Sequence, residues 1–223
     1  MEAEYYERYW RGEIGKEGFA TVPPEWNASN LRTVLGFFSP VIHGRVLDVG
    51  CGDGFFAHEI SKLGGVEEVV GLDVSETAIK IAQGRYPHIE FLVAPITDVP
   101  LPDAYFDTIS AIEVVEHVLD VPKMFEEFNR LVKIGGHICS TTTDFNLLKR
   151  MIISLLFFEK YFRPDNPHIR FFTKRTLAEM LLRHQFEITR YGWSGSYWRL
   201  MPKGQMVVAR KTEDCAMALK QRL

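Results

Sequence analysis

Cysteine is scarce in this 223-residue chain, and the three present, Cys51, Cys139 and Cys215, form no Cys-x-x-Cys pair. This argues against a disulfide framework and a thiolate zinc site, and it fits a reducing cytosol. Positive charge is not in excess either: 26 Lys and Arg stand against 29 Asp and Glu, a net charge of −3, so nothing advertises a phosphate backbone as partner. No stretch approaches the roughly 18 apolar residues of a membrane-spanning helix. The longest apolar block, Met151 to Phe158, is about half that length. The first residues, MEAEYYERYWRGEIGKEG, are too charged for a signal peptide. Repeats and low-complexity tracts are also absent.

What is present points to one globular domain. Hydrophobic residues make up 46% and charged residues 25%, enough apolar surface to drive collapse of the whole chain. Residues 1–44, rich in aromatics and broken by Pro23, Pro24 and Pro40, read as a leader of one or two short helices that packs on the core as a lid. From Arg45 to Thr143 apolar, β-branched runs alternate with helical spacing. Strands are expected at Arg45–Gly50, Val66–Val74, Ile89–Val93, Phe106–Ile112 and His137–Thr142, with helices between them. Runs apolar on both faces predict an α/β, doubly wound, mostly parallel sheet covered by helices on both sides. Residues 144–172 read as an insertion. The remainder, 173–223, reads as a helix from Thr173 to His184 and an antiparallel hairpin of Phe186–Tyr191 with Gln205–Arg210, closing a seven-stranded sheet.

The sharpest local signal is Val46-Leu47-Asp48-Val49-Gly50-Cys51-Gly52-Asp53-Gly54, a strand that runs into a glycine-rich turn and then a helix. Glycines at every second position let the backbone pass close to a ligand at the carboxyl end of the first strand, where doubly wound sheets bind small molecules. Asp73 ends the second strand, where a carboxylate can accept hydrogen bonds from two ribose hydroxyls. The spacing is GxGxG. A nicotinamide fingerprint needs a third glycine where Phe55 stands, which disfavours an oxidoreductase on the same sheet.

VLDVGCGDG, GLDVS, LPDAYFDTISAIEVVEHV and LVKIGGHICSTT, in this order, resemble four motifs of the class I S-adenosylmethionine-dependent methyltransferases, over roughly residues 44–143. EVVEHVLDVP narrows the likeness to the type 11 and ubiquinone-biosynthesis O-methyltransferases. The resemblance implies S-adenosyl-L-methionine as cofactor. Asp48 would steady the glycine loop and the methionine amino group, Gly50, Cys51, Gly52 and Gly54 would admit methionine and ribose, and Asp73 with Val74 would hold the ribose. An acid after the third strand often meets the adenine amino group in this family. Here that position is Pro95, leaving Ile96 to cover the adenine and Asp98 as a substitute acid.

Glu113, Glu116 and His117 are spaced three and four apart, so a helical turn would put them on one face, with Val114, Val115, Val118 and Leu119 on the other. Two carboxylates and an imidazole can hold a divalent ion, with His168 completing the set. Glu-x-x-Glu-His with a later His before FxT also resembles the small-RNA 2′-O-methyltransferases, where such residues hold a metal. In the broader family the same segment carries no ion, Glu113 faces the cofactor cleft, and His117 lines it. We take this second, metal-free reading, with Glu113 and His117 as the catalytic pair. An imidazole of ordinary pKa near 6.5 accepts a hydroxyl proton at neutrality.

Substrate choice then resides in the coverings: the leader, with Tyr5, Tyr6, Tyr9 and Trp10, and the insertion, whose MIISLLFF lies between Lys149, Arg150, Lys160 and Arg163. That insertion reads as an amphipathic helix, able to cover an apolar substrate, rest on a membrane surface or pack against the sheet. The expected function is methyl transfer from S-adenosylmethionine to a small, partly apolar acceptor, by O-methylation. The rivals are metal-dependent 2′-O-methylation of RNA, which the charge balance disfavours, and a non-catalytic S-adenosylmethionine-binding partner subunit. Oligomeric state is not legible.

Overall fold

The computed structural model describes residues 2–14, 28–163, 168–198 and 201–213. Among these, the elements run α1 (Glu2–Trp10), α2 (Ala28–Phe38), β1 (Gly44–Val49), α3 (Phe55–Ser61), β2 (Val66–Asp73), α4 (Glu76–Arg85), β3 (Glu90–Val93), β4 (Phe106–Ile112), α5 (Val121–Leu131), β5 (Val132–Thr143), α6 (Leu147–Leu156), α7 (Phe158–Tyr161), α8 (Lys174–Arg183), β6 (Phe186–Trp198) and β7 (Met201–Lys211). A single 3-10 turn, Val115–His117, follows β4.

The strands form one seven-stranded sheet in the order β3-β2-β1-β4-β5-β7-β6. β1 to β5 are parallel, and β7 runs antiparallel between β5 and β6, as the alternation and the closing hairpin predict. The parallel strands are apolar on both faces because both are covered. In β1, Val46 joins the cluster beneath α2 and α3, whereas Leu47 and Val49 join the one beneath α5 and α8. Each such fully buried aliphatic side chain contributes about 1.5–3 kcal/mol.

Short polar caps start the helices. Ser75 accepts the Ala78 N–H, Asp120 the Lys123 N–H, and Asn146 the Lys149 N–H, while Thr173 and Thr176 form a reciprocal capping box. Three strands outrun their sequence signals. β5 begins directly after α5, because Val132 pairs with Phe106 before the register shifts and the chain passes through left-handed Gly135. β6 and β7 extend because Gly192, Trp193 and Ser194 pair with Met206, Gln205 and Gly204, a ladder of backbone bonds without an apolar pattern.

The order reverses direction at β1, whose neighbours β2 and β4 lie on opposite sides. The crevice between the carboxyl ends of β1 and β4 is therefore the place for a ligand.

Candidate functional site

At the end of β1, Asp48 is 2% exposed and its Oδ2 has no hydrogen-bond partner among the described residues. Burial, and then the charge of Asp73, push its carboxyl up to about 7. The following loop turns left-handed at Gly50, Gly52 and Gly54. At Gly54 the turn is required twice over: φ is +79°, and a Cβ would stand 2.7 Å from the Phe91 ring and 3.0 Å from the Ala82 Cβ. Asp73 braces the loop from β2. Its Oδ2 accepts the Gly52 N–H at 3.0 Å and its Oδ1 the Ser75 N–H at 2.9 Å. A carboxylate has about four acceptor sites, so Asp73 retains capacity beyond its backbone partners Ser75, Gly52 and Val74. Cys51 is buried, its N–H given to the Leu72 carbonyl at 3.0 Å and its thiol held protonated by burial. Cys139 is likewise free and buried; Cys215 lies outside the described residues, as do Pro23 and Pro24. Val74 and Ile96 are half-buried, Ile96 against the core, while Pro95 and Asp98 are exposed in one turn closed by the Asp98 N–H on the Pro95 carbonyl at 3.1 Å.

The leader helix α1 lies across this loop. A Cβ at Gly52 would meet the Trp10 ring at 2.8 Å. Glu7 fixes the helix there. Its carboxylate accepts the Thr77 hydroxyl at 2.5 Å, the Ser75 hydroxyl at 2.7 Å and the Thr77 N–H at 3.2 Å. Tyr6 reaches the other half of the crevice, its ring 6.0 Å from that of His117. The aromatics of α1 stand out in the sequence. Glu7 does not, because its partners lie about seventy residues away.

Beyond β4, one expectation fails. Glu113, Glu116 and His117 do not share a helical face, because Glu113 is itself left-handed (φ +54°) and the 3-10 turn begins only at Val115. The Glu113 N–H is given to Thr141, to its carbonyl at 3.2 Å and its hydroxyl at 3.0 Å, and Glu113 Oε1 lies 3.7 Å from where a Gly204 Cβ would stand. Of the residues expected on the opposite face, Val115 and Val118 are buried and Leu119 is exposed. Glu116 is completely buried with Oε2 unpartnered among the described residues, and burial, then the Glu113 charge, hold its carboxyl well above the usual range. The Glu116 carbonyl accepts the N–H groups of Ile169 and Arg170, at 3.1 and 3.0 Å, and this clamps the loop carrying His168 so that its ring lies 4.7 Å from that of His117. Ligand atoms of Glu116, His117 and His168 lie within 4.8 Å of one another; Glu113 is outside that group.

Two further polar residues are buried near this end of the sheet, in roles that have no signal in the sequence. Lys149 is 7% exposed and donates to the carbonyls of Asp144 at 2.8 Å and Lys203 at 3.2 Å. Burial lowers its pKa, and Asp144 and Glu113 pull it back up. His168 is held neutral by burial and by the nearby Lys149 charge. Gln205, fully buried, donates to the Thr143 and Phe172 carbonyls and accepts the Tyr191 hydroxyl at 3.0 Å.

Residues 47–140 match the family model described as a methyltransferase domain. The core of this chain is similar to a methyltransferase domain. A probable S-adenosylmethionine-dependent methyltransferase of Mycobacterium tuberculosis is 33% identical over 99 residues, 44% of this chain and 35% of that protein. A ubiquinone biosynthesis O-methyltransferase of Alkalilimnicola ehrlichii is 37% identical over 107 residues, 46% of this chain and 42% of that protein. The chain thus spans about a third to a half of the length of the first curated relatives it matches. The same methyltransferase fold is seen in a putative methyltransferase from Bacillus halodurans (TM-score 0.69, 17% identity, 83% of this chain and 100% of that one). Magnesium protoporphyrin IX methyltransferase from Synechocystis, solved with bound SAH, gives a TM-score of 0.66 at 17% identity over 94% of this chain and 98% of that one.

Proposed function

We propose that this chain binds S-adenosyl-L-methionine at the carboxyl end of β1, in the crevice it forms with β4 and beside the end of β2, and transfers its methyl group to an oxygen of a small, partly apolar acceptor. The observation that carries the reading is Asp48, a buried carboxyl group whose Oδ2 has no partner among the described residues, beside a left-handed glycine loop. That is a site built for a cationic ligand whose body passes close to the backbone. Asp48 meets the amino group, Asp73 adds ribose hydroxyls to the N–H groups it already holds, and Ile96 lies against the adenine. The cofactor supplies an activated methyl on a sulfonium that carries its own leaving group. The protein's remaining task is alignment, and positioning of this kind is worth up to ~7–11 kcal/mol. His117 takes the acceptor proton, Glu113 faces the cleft, and α1 and residues 144–172 exclude water as covers of a single catalytic unit working in the cytoplasm.

A second reading places a divalent ion on Glu116, His117 and His168 for ribose 2′-O-methylation of RNA, and the convergence of those ligand atoms favours it. One experiment separates the two. Labelled S-adenosylmethionine is incubated with the protein and a cell extract, with and without a chelator, and label is counted in organic, small-molecule, RNA and protein fractions. The first reading expects chelator-resistant label in the organic or small-molecule fraction, absent in His117→Asn although that variant still binds S-adenosylhomocysteine. Chelator-sensitive label in RNA overturns it. Turnover only with a copurifying subunit assigns the chain to a non-catalytic partner role.

A further inference from the structure

Helix α6 is inverted relative to an ordinary surface helix. It buries Lys149 and Ile153, and it leaves Leu147, Met151, Leu155 and Leu156 exposed at 54–77%. Phe157 and Phe158 continue the patch, 48% and 57% exposed. Soluble proteins leave single leucines in water, but a contiguous run of this size marks a surface that meets another phase or molecule. The patch is held rigidly. Lys149 is tied to the Asp144 and Lys203 carbonyls, and α7 folds back so that Tyr161 and Phe162 join Phe145 and Phe171 in one aromatic group, with centroids 4.8–6.3 Å apart. The chain cannot simply roll the leucines inward without pulling a charge out.

The geometry points to α6 and the start of α7 as a face that lies in the interface of an anionic lipid bilayer. Charge decides among the possible occupants. The chain as a whole carries −3, yet residues 147–163 hold Lys149, Arg150, Lys160 and Arg163 against Glu159 alone. Arg150 and Lys160 are exposed at the border of the apolar patch. Apolar insertion rimmed by cations is the composition of an interfacial helix, whereas a second copy of this chain would bring like charges together. The helix follows the carboxyl end of β5, and its buried Lys149 is close enough to Glu113 and His168 to act on them electrostatically, so an acceptor dissolved in the bilayer would lie one helix away from the crevice. That last consequence rests on the proposed methyl transfer, but the docking itself does not.

The test is co-sedimentation of the full chain with phosphatidylcholine vesicles, with and without phosphatidylglycerol. The expected result is binding to the anionic vesicles. Leu155→Glu with Leu156→Glu, both at exposed positions, weakens binding by about tenfold or more. Arg150→Gln with Lys160→Gln weakens it about tenfold on anionic vesicles only. Circular dichroism and S-adenosylhomocysteine binding confirm that the variants are folded, and loss of the latter in the parent protein would count against the cofactor reading alone. Absence of sedimentation with either vesicle overturns the proposal. So does a dimer in light scattering that Leu155→Glu dissociates.

Discussion

The Glu7 carboxylate accepts both the hydroxyl and the N–H of Thr77, at 2.5 and 3.2 Å, and so ties the leader helix to the start of α4 beside the glycine loop. The Thr77 hydroxyl, then the Ser75 hydroxyl and the Thr77 N–H, hold this carboxyl down to about 2. A depressed acid stabilises above its unfolded pKa of about 4.3 and loses that contribution as pH falls toward the folded value. Acidification from about 5 to 2 therefore loosens α1 before it unfolds the sheet. Glu7→Ala does the same at neutral pH, raising amide exchange in residues 2–14 by roughly threefold to tenfold, discounted for solvent screening at this partly exposed position. Exchange that stays slow in α1 would mean that Trp10 and the tyrosines hold the helix without Glu7.

Asp48 has the opposite sign. Its folded pKa of about 7 lies above the unfolded value of about 3.9, so the native state binds more protons between those limits. Ligand-free stability should fall as pH rises from about 4 to 7 and then level off, and Asp48→Asn should flatten that slope. A cationic ligand favours the carboxylate, so S-adenosylmethionine binding at pH 6 should release close to one proton. Calorimetry in two buffers of different ionisation enthalpy measures this, and buffer-independent heats would remove Asp48 from the amino-group site.

How much of this was legible in the sequence divides along the range of the interactions. β1 to β4 were readable because their apolar runs and caps are local, and so was the glycine loop, where Gly54 answers to a turn a few residues long. The one-face arrangement of Glu113, Glu116 and His117 was not, because spacing assumes a helix and the Thr141 hydrogen bonds hold Glu113 out of one. Lys149 and Gln205 were also invisible. Their roles depend on carbonyls of Lys203, Thr143 and Phe172, supplied by tertiary packing with no pattern of their own. MIISLLFF reads as part of an amphipathic helix able to cover a substrate, rest on a membrane or pack on the sheet, and that α6 buries Lys149 and Ile153 was not legible, because those contacts are tertiary.

The glycine loop allows a paired test. Gly54→Ala forces a side chain into left-handed backbone against the Phe91 ring and the Ala82 Cβ, which are rooted in β3 and α4. Overpacking and strain together cost about 2–4 kcal/mol, a fall in Tm of roughly 4–16 °C for a chain of this size. Gly52→Ala meets only the Trp10 ring, which can move with the leader. It should lower Tm less, shift tryptophan emission and weaken S-adenosylhomocysteine binding. Equal Tm losses would show that α1 is as rigid as the sheet beneath it.

Glu116 decides between the two chemistries. Its carboxyl is fully buried and held protonated by burial and by Glu113, so without an ion it behaves as a neutral acid, for which glutamine is nearly isosteric. The metal-free reading then expects Glu116→Gln to fold within about 1 kcal/mol of the parent and to retain activity, and added manganese, zinc or magnesium to leave Tm unchanged. A resident ion requires the carboxylate. In that case a saturating divalent metal at a hundred times its Kd would stabilise the parent by about 2.7 kcal/mol and the variant hardly at all. Thermal melts of both proteins with each metal and with a chelator distinguish the cases independently of any methyl acceptor, because the parent's shift and its loss in Glu116→Gln report on the ion alone.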